Sequence, residues 1–246
     1  REKEEKVKKV REVVTELKRE LDDMLRRVKE AHERLKKKHD DLLKEVREVH
    51  KRLKDRLDER GGDEAIKEVL DRHLKLVEEV VRANKEVLDR HLKLVEDVLR
   101  ALKEVLDKVL KLVEELVRRR DEERAEDLVR RVVKEIDKLV KEIRKRLEDV
   151  SRDVRRLLDE LRKINKRVSD EVKRLIEELR KRLSGGDEEI KKTIEEIIKV
   201  LRELNDKLRR LSEDTIRVLE ELNKEIARLL EKLVRDTKRL LDELTK

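Results

Sequence analysis

A long, nearly straight, antiparallel single-chain four-helix bundle is the fold class this sequence predicts, and three observations carry that expectation. The 246 residues are 55% charged and contain no aromatic residue, no proline and no cysteine. Glu, Lys, Arg and Leu in such excess read as long amphipathic helices, each burying one stripe. Residues 68–85, "EVLDRHLKLVEEVVRANK", are followed by "EVLDRHLKLVEDVLRALK" and by a looser third copy, "EVLDKVLKLVEELVRRRD". Eighteen residues make five turns at 3.6 per turn, so every copy presents the same face without supercoiling.

The period recurs along the chain. Val10, Val28 and Val46 match in the first stretch, as do Val14, His32 and His50; Val132, Val150 and Val168 match in the third. Residues 193–246 divide into three aligned copies beginning "TIEEIIKVLRELNDKLRR". "DERGGDEA" at 58–65 and "RLSGGDEE" at 182–189 predict breaks, with glycines ending one helix and Asp63 or Asp187 capping the next. The break in "VRRRDEERAEDLV" (117–129) contains no glycine and follows from phase. The stripe of Val69, Leu70, Leu74, Val77, Val80 and Val81 lies two residues out of step with that of Val132, Ile136, Leu139, Val140 and Ile143. That is a rotation of roughly 200°, so an unbroken helix would face its halves in opposite directions. A turn near 119–124, capped by Asp121, lets both stripes face one core. Helices are therefore expected at about 3–60, 63–119, 123–184 and 187–245. They form one domain over 1–246, divisible into pseudo-hairpins 1–120 and 121–246 that could instead pair with another chain.

Register arithmetic locates the polar residues on these stripes. If the first hairpin turns between Gly61 and Gly62, residue i faces residue 123 − i. His32 then faces His91, His50 faces His73 and His39 faces Asn84, so all five histidines fall into cross-helix pairs. Across the middle turn, with the two numbers adding to about 242, Ser151 falls beside His91 and Ser169 beside His73. Across the last hairpin, near 371, Asn165 meets Asn205. Ser212 lands close to the His39–Asn84 layer, Asn223 about a turn from His32, and Thr15 meets Thr237. A buried polar group without a partner costs about 1–3 kcal/mol, so polar residues coinciding by layer are expected to bond to one another. Such layers oppose register slips.

Strict eighteen-residue repetition, Gly-Gly turns, the absence of proline and aromatics, and layered polar positions together resemble de novo designed helical bundles with buried hydrogen-bond networks. The resemblance covers the whole chain. Some such designs are helical-hairpin heterodimers, and others use buried histidine networks as pH switches. His32, His39, His50, His73 and His91, with Asn84, Ser151 and Ser169, match the second pattern by position. The resemblance implies a structural scaffold, with a pH-responsive switch as the alternative and a metal- or haem-binding bundle as a third reading.

No cofactor and no metal ligand set are expected: each His–His layer supplies only two imidazoles, with serine beside them instead of an inward carboxylate. Catalysis is not expected, because a packed core gives a serine neither an oxyanion site nor access to substrate. The formal charge of +8 is spread among alternating signs, without the basic stripe or aromatic platforms of a nucleic-acid binder. No apolar run approaches the roughly 18 residues of a membrane span, and no signal peptide opens the chain. A monomer is expected, with self-association or a designed partner as alternatives.

Overall fold

The computed structural model describes residues 2–61, 63–118 and 122–245. These form α1 (Glu2–Glu59), α2 (Glu64–Arg118), α3 (Glu122–Arg182) and α4 (Glu188–Thr245), with a short 3-10 turn at Leu183–Gly185 and no strand among the described residues. The helices pack as a four-helix bundle. The boundaries fall within two residues of those the periodicity predicts. Asp121, the cap expected in the glycine-free break, lies outside the described residues.

The two glycine turns solve the same problem differently. After α1 the chain turns through Gly61 at φ +93°, in the left-handed region, while the amides of Arg60 and Gly61 bond back to the carbonyls of Leu57 and Asp58. Asp63 then caps α2, its Oδ1 accepting from the Ala65 amide at 3.0 Å. Between α3 and α4 neither described glycine has positive φ; the helix tightens into the 3-10 turn, and Ser184 Oγ donates to the Lys181 carbonyl at 2.9 Å. Asp187 contributes its backbone carbonyl, which accepts from the Lys191 amide at 3.0 Å.

By contacts the chain divides into two compact units, each taking a stretch of every helix instead of one hairpin apiece: residues 1–30, 91–154 and 220–246 in the first, 31–90 and 155–219 in the second. In the first unit Val109, Ile136, Val140 and Val234 bring α2, α3 and α4 into one apolar cluster. Here α3 is the least covered, with Leu139, Ile143, Leu147 and Val150 only half-buried. The second unit has a core of Leu, Val and Ile from all four helices, including Val46, Leu70, Val77, Val172, Leu179, Ile197 and Leu201. Leu74, on the predicted α2 stripe, is half-buried at its edge.

Ion pairs flank both cores in a repeating order. In the first unit α1 meets α2 through Arg11–Glu114, Lys18–Asp107, Asp22–Lys103 and Lys29–Glu96. In the second the pairs are Lys36–Asp89, Asp40–Lys85, Arg47–Glu78, Lys54–Asp71 and Asp58–Lys67. The two residue numbers add to 125 in every pair, and each pair type recurs at intervals of eighteen. Long side chains lean toward the N-terminus of their own helix and cover a spot about one residue back. On antiparallel helices that reach raises the sum from 123 to 125. A second set joins α1 to α4, with numbers adding to 252: Glu20–Lys232 and Arg27–Glu225 in the first unit, Glu45–Lys207 and Arg56–Glu196 in the second. Each is partly exposed, so each contributes at most about 1 kcal/mol.

Gly61→Ala is expected to lower stability by about 1–2 kcal/mol, because a Cβ is strained at positive φ even where space is free. Gly185→Ala, with nothing within 4 Å of the added carbon, is expected to be neutral or slightly stabilising. Chemical-denaturation midpoints of the two variants check the contrast.

Candidate functional site

The second unit buries His39, His50, His73, Asn84, Ser212 and Thr215 among aliphatic side chains, each at 2% exposure or less. His50 belongs to α1 and His73 to α2, and their facing nitrogens, Nε2 and Nδ1, lie 2.9 Å apart. The rings stand 5.0 Å between centres and tilt by 40°, which suits an in-plane N–H to nitrogen bond rather than stacking. A neutral imidazole has one donor and one acceptor. Whichever ring donates, the outer nitrogens, His50 Nδ1 and His73 Nε2, are left as one donor and one acceptor. Both are dry and without a hydrogen-bond partner. The pair that register arithmetic places face to face is therefore bonded once and stranded twice.

The neighbouring layer resolves its tautomer. His39 Nδ1 donates to the Leu35 carbonyl one turn back at 2.7 Å, so its Nε2 carries a lone pair. Asn84 Nδ2 donates to the Val80 carbonyl at 2.8 Å and to Ser212 Oγ at 3.4 Å. That leaves Asn84 Oδ1 and His39 Nε2, two acceptors, dry and unpartnered. Thr215, a turn further along α4, closes its own hydroxyl on the Leu211 carbonyl at 3.0 Å.

Burial governs the acid–base behaviour. Desolvation lowers His50 to about 4, aided by Lys54 and opposed by Asp71 and the Leu70 carbonyl. His73 falls to about 3, through desolvation and then the neighbouring His50. His32, also in the second unit and 2% exposed, falls to about 4; desolvation leads, Lys36 adds to it, and the Leu88 carbonyl and Asp89 oppose. His39 is lowered by the same desolvation, but the Leu35 carbonyl and the Asn84 side chain pull it back. A low dielectric penalises the imidazolium in every case.

The remaining expected residues divide. His91 is fully buried in the first unit. Ser151 and Asn223 in the first unit are half-buried, as are Asn205 and Asn165 in the second, with Asn165 Oδ1 dry and unpartnered. Two expectations fail. Thr237 is buried at 7%, but Thr15 is exposed, so the two do not share a buried layer. Their numbers add to 252, the α1–α4 register, so the height is right and the rotation about α1 is wrong. Ser169 is half-buried and leaves His73 Nε2 without a partner. Ion pairs between α2 and α3 in the second unit, Asp63–Arg182, Glu79–Arg167, Arg72–Glu178 and Arg90–Glu160, add to 245–250. With the same lean of two taken off, these pairs place the helices at sums of 243–248, so the expected 242 is one to six residues low and His73 Nε2 finds no partner in Ser169.

Thr193 and Thr215 escape the register reading because each is satisfied within its own helix. Thr193 Oγ1 donates to the Glu189 carbonyl and accepts from Arg60 Nη1 at 2.8 Å, tying the α1–α2 turn to the start of α4. A threonine in phase with the apolar stripe was the available signal. Among the described residues no three His, Cys, Asp or Glu side chains gather as a metal site would require, and no helix is long and apolar enough to cross a membrane. No protein family, curated protein or solved structure matches the chain.

Replacing His73 alone with Val, the residue at the matching position 109, should cost about 1–3 kcal/mol at pH 7.5, because His50 Nε2 loses its one partner. The double variant His50→Val/His73→Val removes all four nitrogens and is expected to exceed the parent in stability. Urea unfolding of the three proteins gives the order.

Proposed function

We propose that this chain is a de novo designed structural scaffold whose buried imidazole and amide layers set the register of its helices. The His50–His73 bond carries this reading: two polar side chains, His73 in phase with Val109 of its repeat and His50 with Val14 of its own, meet at 2.9 Å inside an aliphatic core. A core built for stability alone would place valine there, as the third repeat does. Burying imidazoles instead exchanges stability for uniqueness of pairing, because any other alignment leaves polar atoms against leucine. The Asn84–Ser212 contact supports the same reading from a third helix.

A second reading, response to acid, is favoured by the stranded nitrogens. His39 Nε2 and Asn84 Oδ1 are both acceptors, so a proton on the imidazole supplies the donor their layer lacks. The His50–His73 layer has no comparable relief, since a second positive charge would sit beside the first. The folded values of His32, His50 and His73 lie below the ordinary 6.5. Their stabilising share is thus intact above pH 6.5 and is lost as pH falls toward about 4, because the unfolded chain takes up protons first. For His50 alone the loss is on the order of 2–3 kcal/mol by pH 4.5.

Urea midpoints measured from pH 7.5 to 4.5 test both readings against a variant with His32, His50, His73 and His91 all replaced by Val. The parent is expected to lose several kcal/mol more than the variant, whose carboxylates are the same and therefore subtract out. Parallel curves would contradict acid response. A variant that keeps the parent's helix register when all five histidines and Asn84 are made apolar would contradict the scaffold reading.

A further inference from the structure

The α1–α2 ion pairs contain a degeneracy that the histidine layers do not share equally. Arg11, Lys29 and Arg47 form one basic column and Lys18, Lys36 and Lys54 a second; Asp22, Asp40 and Asp58 form an acidic column. They meet Glu114, Glu96 and Glu78, then Asp107, Asp89 and Asp71, then Lys103, Lys85 and Lys67. If α2 slides by one repeat past α1, Arg11 meets Glu96, Lys18 meets Asp89 and Asp22 meets Lys85. Six of the nine pairs re-form in either direction of sliding. The aliphatic positions are equally tolerant, since Leu17, Leu35 and Leu53 repeat on α1 and Leu70, Leu88 and Leu106 on α2. Ion pairs and leucines together leave an eighteen-residue shift nearly unopposed.

Within one chain the Gly61 turn resists that shift, because sliding would unwind eighteen residues of helix. Between two copies nothing of the kind applies: α1 of one chain can pair with α2 of another at either offset. Histidine pairs also repeat at eighteen, so a slipped pairing still sets one histidine opposite another. His39 and Asn84 occur once each. Their repeat-mates are Leu21 and Leu57 on α1, and Ile66 and Leu102 on α2, all buried. Sliding one way sets Asn84 against Leu21 and His39 against Ile66. Sliding the other way sets Asn84 against Leu57 and His39 against Leu102. Both shifts also take Asn84 away from Ser212.

We infer that the single His39–Asn84–Ser212 layer is the specificity determinant that prevents this chain from pairing in a shifted register with a second copy of itself. The inference deepens the scaffold reading and rests on it, since it assigns to one layer the discrimination that reading gives to the set. The partner the layer rejects is chemically defined: another α1 or α2 face carrying the same ladder of charges and the same leucine columns. The side chains lower their own stability to do this, leaving two acceptors dry.

The chain contains no cysteine, so cross-links report pairing cleanly. Asp22→Cys/Lys103→Cys marks the native offset and Asp22→Cys/Lys85→Cys the shifted one. Positions 85 and 103 are about 27 Å apart along α2, too far for a short bis-maleimide to confuse them. Each cysteine pair is placed in three backgrounds: parent, His39→Leu/Asn84→Leu, and His50→Val/His73→Val. All are refolded from denaturant at low and high concentration, then cross-linked and sized by light scattering. Parent and His50→Val/His73→Val proteins are expected to give the native intramolecular link as monomers. The His39→Leu/Asn84→Leu protein, although harder to unfold, is expected to gain a concentration-dependent covalent dimer through the shifted pair, at least tenfold over parent. A shifted dimer arising only on loss of His50 and His73 overturns this inference and leaves the scaffold reading standing. No shifted dimer in either background, extended to a chain lacking all six side chains, overturns both.

Discussion

A buried imidazole must find a hydrogen-bond partner or give up stability, and the structure of this chain turns on how that demand is met. Leucine and valine at repeating positions attract any similar stripe and record little about which one. An imidazole in the same place is satisfied only at heights that set a polar partner opposite it. The His50–His73 contact shows the demand met once, at 2.9 Å, and unmet at both outer nitrogens. Replacing such a pair by apolar residues of similar volume commonly raises stability, so retaining it is a choice for uniqueness over strength. The depressed proton affinities of His50 and His73 follow from the same dryness, and so the proposed acid response and the proposed register control both rest on one placement.

The charged flanks and the polar layers divide the work by magnitude. Among the described residues, nine α1–α2 ion pairs, all partly exposed, add small increments each and survive a shift by one repeat in two cases out of three. One dry asparagine set against leucine costs as much as several such pairs. The eighteen-residue periodicity therefore also creates an ambiguity, which the few residues that break the period are proposed to remove. On α1 and α2, His39 and Asn84 are the two buried polar residues whose repeat-mates are all apolar.

Fold and first-hairpin register were legible in the sequence for a physical reason: a short glycine turn ties residue i to residue 123 − i, and eighteen residues close five helical turns. His50 opposite His73 follows from that arithmetic alone, whereas Ser212 beside Asn84 also needed the sums assumed for the middle turn and the last hairpin. The same arithmetic, raised by two for the backward lean of long side chains, would have recovered the ion-pair columns. Legibility fell away from the glycine turns. The break between α2 and α3 has no glycine to count from, and the assumed sum of 242 sits below the 245–250 of the observed pairs, which misplaces Ser169. Thr15 shows the other failure: its height matches Thr237, but height says nothing about rotation, and its side chain faces solvent. Thr215 bonds within its own helix, so no cross-helix coincidence could announce it, and Thr193 meets the arginine of a turn instead of a polar residue on a facing stripe.

The most direct measurement is nuclear magnetic resonance of protein labelled with nitrogen-15 in its histidines, at pH 7.5. A scalar coupling transmitted across the hydrogen bond between His50 Nε2 and His73 Nδ1 is expected, with both rings neutral and the shared proton protected from exchange with water. Rings that show no such coupling, or that titrate near the ordinary histidine value with rapidly exchanging protons, would mean the two imidazoles are wet and apart, and the account would be wrong at its centre.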